Sequence, residues 1–104
     1  MGQTGQPWFC YIVRCRDGAL YVGIATDLEE RVREHNWGVA ASFTAKRRPV
    51  SLAWFEAFES QEPARRREVA VKKWSRTKKL QLVTAFQTRI QENAGRAMAK
   101  AAQA

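Results

Sequence analysis

Two tyrosines lie where a β-hairpin can bring their phenols together. Tyr11 and Tyr21 belong to two short runs of apolar and β-branched residues, and Arg-Asp-Gly separates the runs. This pattern predicts two antiparallel strands joined by a tight turn. A three-residue loop with Gly18 in the left-handed conformation sets Val13 opposite Tyr21 and puts both phenols on one face, whereas a two-residue turn puts them on opposite faces. Only the first register brings the two hydroxyl groups, which can donate or accept protons, into one site.

An arginine and the only histidine of the chain share one face of a predicted helix. Asp27 is a suitable N-cap, and the helix that it opens is expected over residues 28–36. Arg31 and His35 are four residues apart within it, so their side chains are neighbours beside the apolar stripe. A permanently charged guanidinium next to an imidazole suits an anion better than a metal ion. The spacing alone is weak, because a surface arginine and histidine also recur by chance.

A single carboxylate lies inside a strongly basic run. Glu68 is the only acid in the sequence 65–73, which reads RRREVAVKK. One interpretation is an ion pair with Lys72, four residues later on the same helix face. The other is a ligand for a divalent cation, since Mg²⁺ commonly takes one or two carboxylates and completes its shell with water and phosphate oxygens. No second acid accompanies Glu68, which disfavours a two-metal nuclease.

The positive charge of the chain is concentrated in its middle. The 104 residues contain 18 Lys and Arg against 10 Asp and Glu, a net charge of +8. Residues 44–79 hold eleven of the basic and four of the acidic side chains. Clustering of this kind indicates a surface that binds nucleic acid. The alternative is a solvated basic surface with no partner.

Length and periodicity predict a single α+β domain. After the hairpin and the first helix, residues 39–49 form a short helix or loop, and 50–58 alternate as a third strand with Val50, Leu52, Trp54 and Phe58 on one side. Two further helices follow, one from a Ser60 cap and one from a Ser75 cap. The order is therefore β-β-α-(α)-β-α-α. The domain is expected over 8–92, after a flexible leader at 1–7 and before a disordered tail at 93–104, where apolar periodicity is lost.

Several classes of protein are excluded by composition. No apolar stretch approaches the roughly 18 residues that a transmembrane helix needs. The first residues lack the apolar region of a signal peptide, so a cytoplasmic protein with no membrane partner is expected. Cys10 and Cys15 lie too far apart along one strand to form a disulfide, and we interpret both as buried thiols in a reducing compartment.

Taken in order, these pieces resemble the motifs of the GIY-YIG nuclease superfamily. The resemblance covers about residues 8–83 and is closest to small single-domain bacterial members, related to the N-terminal nuclease module of the excision-repair enzyme. It rests on Phe9-Cys10-Tyr11, Tyr21-Val22-Gly23, the helix sequence that carries Arg31 and His35, and Arg66-Arg67-Glu68. Phe9 stands where the first motif has glycine, and Val22 replaces isoleucine in the second.

The resemblance implies both a fold and an activity. Members have a three-stranded antiparallel sheet flanked by helices, and they cut phosphodiester bonds with one Mg²⁺ or Mn²⁺ ion. One of Tyr11 and Tyr21 would then act as the general base or orient the attacking water. Arg31 would stabilise charge on the phosphate, and His35 would assist proton transfer or bind phosphate. A phenol with an ordinary pKa near 10 is a poor base, and we expect nearby cations such as Arg31 to improve it.

The remaining implied roles concern the substrate and the metal. Gly23 would allow close approach of backbone and substrate, and Glu68 would be the metal ligand. Phosphate contacts are expected from Lys46, Arg47, Arg48, Arg65, Arg66 and Lys73.

Three hypotheses about function follow. The first is a divalent-metal-dependent endonuclease acting on DNA, or on RNA, with a role in repair or recombination and selectivity for substrate structure. The second is a non-catalytic nucleic-acid-binding module that uses the same basic face. The third is an adaptor for a protein partner. With no appended specificity domain, strong sequence selectivity would need a partner protein.

Overall fold

The first two strands form a hairpin whose turn fixes the face of each tyrosine. The computed structural model describes residues 5–102, with β1 at Trp8–Arg14 and β2 at Leu20–Ala25. The Cys15 N–H donates to the Ala19 carbonyl at 2.8 Å, and Gly18 has a φ of 88°. Val13 lies opposite Tyr21. The three-residue loop with a left-handed glycine is therefore confirmed, and both phenols lie on one face.

A third strand completes an antiparallel sheet in which β1 is central. Strand β3 (Ser51–Phe58) pairs with the other side of β1, and the strand order is β2-β1-β3. Ile12 faces Trp54 but Val13 faces Leu52, so Ala53 is the extra residue of a β-bulge. The predicted α+β fold with a three-stranded antiparallel sheet is confirmed.

The bulge overturns one detail of the predicted pattern for β3. Val50 packs with Tyr11 on one face of the sheet, whereas Trp54 packs with Cys10 on the other. Leu52 is 37% exposed. The prediction that Val50, Leu52 and Trp54 share a side is wrong, because the extra residue reverses the alternation of side chains along the strand.

The chain has four helices in the expected order, two between β2 and β3 and two after β3. They are α1 (Leu28–Trp37), α2 (Ser42–Ala45), α3 (Gln61–Lys72) and α4 (Arg76–Ala102). The Asp27 carboxylate caps α1 by accepting from the Glu30 N–H at 3.0 Å, and Gly38, with a φ of 83°, ends it. Residues 39–49 were expected to form a short helix or loop, and within them Ser42–Ala45 form the helix α2.

The helices cover both faces of the sheet. On one face, Cys10, Ile12 and Val22 pack with Val71 of α3 and Val83 of α4. On the other, the tyrosines and Val13 pack with Leu28 and Val32 of α1. Cys10 and Cys15 are both free and buried, as expected. The site must therefore form on the tyrosine face or at an edge of the sheet.

The last helix continues where the sequence predicted a disordered tail. Residues 93–102 are helical, although every residue from 87 to 102 is exposed. Alanine, glutamine, lysine and arginine favour a helix without any packing, and the prediction had relied on apolar periodicity, which reports packing alone. The predicted leader falls partly on residues 1–4, outside the described residues, and 5–7 are exposed without regular structure. Within 5–102, no helix is both long and apolar enough to cross a membrane.

Candidate active site

A hydrogen bond between Tyr11 and His35 forms the centre of the candidate site. The Tyr11 hydroxyl lies 2.8 Å from His35 Nε2, and both side chains are 1% exposed. Tyr11 comes from the central strand and His35 from the inward face of α1. We had placed His35 at the border of the core, but the structure buries it. A phenol and an imidazole that share a hydrogen bond can exchange a proton.

The contacts of Thr44 indicate which nitrogen of His35 carries the proton. His35 Nδ1 lies 2.7 Å from Thr44 Oγ1, and the Thr44 hydroxyl donates to the Ala41 carbonyl at 3.2 Å. Since the single hydroxyl proton is used on Ala41, Oγ1 accepts from the Nδ1–H of the ring. Nε2 is then an acceptor, and the Tyr11 hydroxyl donates to it. The neutral Nδ1–H tautomer of His35 is thus poised to take the Tyr11 proton.

The pKa shifts of this pair have opposite directions. Burial raises the pKa of Tyr11 above its ordinary value, and the nearby Arg31 opposes this without overcoming it. Burial, aided by Arg31, lowers the pKa of His35 below 6.5. At neutral pH Tyr11 is therefore a phenol and His35 a neutral base. Arg31 thus lowers the pKa of Tyr11 in the expected direction, but desolvation outweighs its effect.

Gly23 lets the Tyr11 ring lie across the edge strand. A Cβ on Gly23 would stand 2.6 Å from the Tyr11 hydroxyl oxygen, closer than any side chain can approach. Tyr11 therefore extends from β1 over β2, the edge of the sheet. The group that lies close to Gly23 is therefore the Tyr11 side chain, where a substrate had been expected.

Tyr21 is the more exposed phenol and belongs to an aromatic stack. Its ring packs edge-on against His35, with centroids 5.1 Å apart, and it stacks on Phe43 at 6.1 Å. The Arg47 guanidinium lies 4.0 Å from the centre of the Phe43 ring. The structure thus brings the two tyrosines and the histidine together, and it adds a flat surface beside them.

Arg31 lies at the mouth of this cluster. Its guanidinium acts on the pKa of both Tyr11 and His35, and Nε pairs with Glu34 at 3.0 Å. The side chain is 39% exposed, so it can also meet a ligand from solvent. A phosphate oxygen would be a stronger partner for the guanidinium than an exposed carboxylate on the next turn.

Glu68 reaches the same region from α3. It is 9% exposed and close enough to Tyr11 for its charge to raise the pKa of the phenol. The Lys72 ammonium lies 3.1 Å from one carboxylate oxygen, and the Arg65 guanidinium lies 3.9 Å from the other. The predicted pair with Lys72 is present. Glu68 also contributes, after burial, to raising the pKa of Cys10 to about 12.

A groove connects Lys72 to the tyrosine face. It has a volume of about 210 Å³ and is lined by Leu20, Tyr21, Val22, Phe43, Lys72 and Lys79. Two lysines and two aromatic residues are among its lining residues. Such a groove can hold the charged backbone and the flat bases of a nucleic acid.

Comparisons with known proteins agree with this geometry. The family model of the GIY-YIG catalytic domain matches residues 7–81. The chain belongs to the GIY-YIG family. The match contains both tyrosines, Arg31, His35 and Glu68, and the family is one of nucleases.

Relatives of similar size extend over most of this GIY-YIG domain. A UPF0213 protein of Staphylococcus saprophyticus is 46% identical over 76 residues, which cover 73% of this chain and 93% of the relative. A UPF0213 protein of Staphylococcus aureus is 47% identical over 75 residues, covering 72% and 92%. The solution structure of a UPF0213 protein from Bacillus halodurans is 42% identical, with a TM-score of 0.50, and the match covers 76% of this chain and 84% of that one.

The basic residues predicted to contact phosphate differ in the contacts that they make within the GIY-YIG domain. Arg47 pairs with Asp17 at 3.1 Å, and Arg48 donates to the Ala45 carbonyl at 2.8 Å, so both fasten the segment after α2. Lys46 and Lys73 are exposed. On α3, Arg65 lies beside Glu68, whereas Arg66 pairs with Glu62 at 3.4 Å. Their contacts to phosphate stay a prediction.

Several residues of the candidate site were not predicted from the sequence. Thr44 had no visible role because it lies where no definite element was predicted. Phe43 and Lys79 reach the groove only through folding. Asn36 has no predicted role, yet its amide donates to the Val50 carbonyl at 3.0 Å and accepts from the Val50 N–H at 2.7 Å. It thereby ties α1 to the start of β3.

Proposed function

We propose that the protein is a divalent-metal-dependent endonuclease that hydrolyses phosphodiester bonds in DNA. The observation that carries the proposal is the chain of hydrogen bonds from Tyr11 through His35 to Thr44, beside Arg31 and Glu68. A buried tyrosine that donates to a neutral histidine is a device for moving a proton. A guanidinium at its mouth is suited to charge on a phosphate.

Tyr11 and His35 together act as the general base. As the oxygen of the attacking water bonds to phosphorus, the water gives a proton to the Tyr11 oxygen, and Tyr11 gives its own proton to His35 Nε2. The phenol never becomes a free phenolate, which its raised pKa would oppose. The P–O bond on the opposite side breaks, and solvent protonates the leaving oxygen. Tyr21, in the groove wall, orients the substrate.

Arg31 would stabilise the negative charge of the phosphate, and Glu68 would hold the metal ion. Arg31 exchanges its contact with Glu34 for a nonbridging phosphate oxygen, where negative charge grows in the transition state. Glu68 fits a magnesium or manganese ion as its one protein carboxylate, since such ions keep several waters and take phosphate oxygens. Within residues 5–102, no group of three or more His, Cys, Asp or Glu side chains could hold a metal alone. When bound, the ion supplies Lewis-acid stabilisation of the phosphate.

Cleavage assays with matched variants test the proposal. Labelled double-stranded, single-stranded and branched DNA are incubated with the protein in Mg²⁺, Mn²⁺ or EDTA. We expect cutting that EDTA abolishes. Tyr11→Phe and Glu68→Gln should each lower the rate by about 10²-fold or more, since each removes a group that acts in the transition state. Glu62→Gln is the control for Glu68→Gln, because Glu62 is an exposed carboxylate on the same helix and pairs only with Arg66.

Two outcomes would contradict the proposal. Salt-sensitive binding of every DNA without cutting would favour a non-catalytic binding module, in which Glu68 serves only as the partner of Lys72. Metal-dependent cutting that survives both Tyr11→Phe and Glu68→Gln would show that the reaction takes place elsewhere.

A further inference from the structure

The second half of α4 is an exposed helix that nothing in the described chain covers. We call residues 87–102 the arm. The last packed side chain before it is Phe86, whose ring lies 5.1 Å from that of Phe55. Every residue of the arm is exposed. The GIY-YIG match ends at residue 81, and 76 matched residues already account for 93% of the Staphylococcus saprophyticus relative. The arm is thus an addition to the conserved domain.

The arm carries its positive charge on one face. Arg89, Arg96 and Lys100 have the spacing i, i+7 and i+11, which keeps their side chains on one side of an α-helix. Glu92 is the one acid between Gln87 and Ala102. Among the ion pairs of the described residues, none involves these three cations. Arg89 does lie 5.8 Å from the centre of the Phe86 ring.

The same helix begins beside the candidate site. Lys79, in the first turns of α4, lines the groove with Tyr21. At a rise of 1.5 Å per residue, Lys100 lies about 31 Å further along the helix, a length that corresponds to about nine base pairs of duplex. A nucleic acid that leaves the groove along α4 would therefore pass Arg89, Arg96 and Lys100 in turn.

We propose that the arm binds the phosphate backbone of the substrate at a distance from the cleaved bond. This inference rests on the proposed function, since it takes DNA as the substrate. Three cations along about 16 Å of helix lie within reach of the dense charge of a duplex, which carries one negative charge per about 1.7 Å. The contacts add affinity and position the strand, and they carry no sequence information.

Other partners fit the arm less well. A helix that lies on a membrane needs a row of bulky apolar anchors, and residues 87–102 contain no Trp, Phe or Leu and only two large apolar side chains, Ile90 and Met98. A second copy of the arm would bring like charges together across the basic face, which is unfavourable. A nucleic acid needs only the cations.

Salt-dependent binding to a 30-base-pair duplex tests the proposal. Binding is measured by fluorescence anisotropy in EDTA, so that no cleavage occurs. The triple variant Arg89→Gln, Arg96→Gln, Lys100→Gln keeps good helix formers and removes the cations. We expect its affinity to fall at least about tenfold, and the slope of log K against log salt to become less steep by about 2 to 3, because each lost phosphate contact contributes about 0.9.

A second variant separates a binding face from a general effect of charge. It adds Gln91→Lys, Ala94→Lys and Met98→Lys to the triple variant, which restores the net charge on the opposite face of the helix. We expect affinity and slope to stay reduced. Full recovery would overturn the proposal, because only net charge would then matter. An unchanged slope in the triple variant would overturn it as well.

The same variants identify the partner if DNA is wrong. A wild-type dimer that becomes monomeric in the triple variant, with an unchanged DNA slope, would assign the arm to self-association. Binding to anionic phospholipid vesicles in place of DNA would assign it to a membrane. Because binding is read in EDTA, loss of the arm effect with cleavage intact rejects only the arm. Absence of cleavage with the arm effect intact rejects only the nuclease.

Discussion

His35 makes hydrogen bonds with two side-chain oxygen atoms, one at each ring nitrogen. Thr44 Oγ1, 2.7 Å from Nδ1, keeps the proton on that nitrogen, and the Tyr11 hydroxyl, 2.8 Å from Nε2, uses the free lone pair. Neither partner is a carboxylate, so the ring stays neutral until it receives a proton from Tyr11. This makes Thr44 a positioning residue that acts through His35.

Replacing Thr44 tests this role. Thr44→Val removes the acceptor of the Nδ1–H, and we expect the free energy of unfolding to fall by about 1–3 kcal/mol, as for a buried unpaired donor. The tautomer should shift towards Nε2–H, which disrupts the bond with Tyr11 and lowers the cleavage rate. Nitrogen NMR of the imidazole reports the tautomer directly. Thr44→Ser, which retains the hydroxyl, should preserve both tautomer and rate. An unchanged tautomer in Thr44→Val would refute the role.

Burial of neutral His35 makes stability depend on pH. Its pKa is below 6.5 in the folded protein, so the unfolded chain takes up a proton first as pH falls. The unfolded state then binds more protons, and the free energy of unfolding decreases below about pH 6.5. Urea unfolding between pH 5 and 8 measures this. The decrease should be smaller in His35→Gln. A stability that rises on acidification would mean that the ring is protonated in the folded state.

Cleavage should show the same dependence on pH. The proposed base is neutral His35, and its lowered pKa keeps it neutral at pH 7. We expect the rate at saturating substrate to be nearly constant above neutrality and to fall only at a pH below the ordinary imidazole pKa of 6.5. The acid limb belongs to the Tyr11–His35 pair as a unit.

At the scale of elements, the site depends on how α1 is attached to the sheet. Asn36, at the end of α1, makes two hydrogen bonds with the backbone of Val50, which precedes β3. The Asn36 amide thus satisfies the backbone N–H and C=O of Val50 in place of a neighbouring strand. His35, one residue earlier, is held at the depth at which it meets Tyr11.

Removing the Asn36 amide should weaken this attachment. Asn36→Ala leaves the N–H and C=O of Val50 unpaired in a buried position, and we expect a loss of about 2–3 kcal/mol in the free energy of unfolding. Chemical denaturation measures it. Asn36→Asp keeps an acceptor for the Val50 N–H and should lose less. A change below about 0.5 kcal/mol in Asn36→Ala would show that water replaces the amide.

At the scale of the molecule, the chain consists of a packed domain and the arm. The packed part ends at Phe86, and the residues beyond it are exposed, although Arg89 still lines a groove beside Phe55 and Glu56. An isolated helix of this length is marginal in water, so the arm is expected to open and close independently of the domain.

Removing the arm should therefore leave the domain folded. A chain ending at Gln87 is expected to change the free energy of unfolding by less than about 0.5 kcal/mol, as for surface changes without packing. Hydrogen exchange should be much faster in 88–102 than in the first turns of α4. By contrast, Phe86→Ala should cost about 2–4 kcal/mol, since the ring packs on Phe55. A large loss on truncation would mean that the arm folds back onto the domain.

The sequence by itself determined the features that depend on neighbouring residues. Asp27 and Gly38 bound α1, Arg31 and His35 share a helix, and Glu68 pairs with Lys72 because four residues make one turn. The strands, the order of elements along the chain and the family also followed from local pattern and motif spacing. The hairpin remained open between two registers until the turn itself was observed.

Only the tertiary structure decided the depth and partner of each group. Thr44 meets His35, and Tyr11 meets a residue 24 positions away, because α1 and α2 pack on the tyrosine face. The bulge at Ala53 and the raised pKa of Tyr11 likewise depend on what lies opposite and around each residue. Local rules describe the backbone between near neighbours, whereas burial and hydrogen bonding depend on surfaces that meet only after folding.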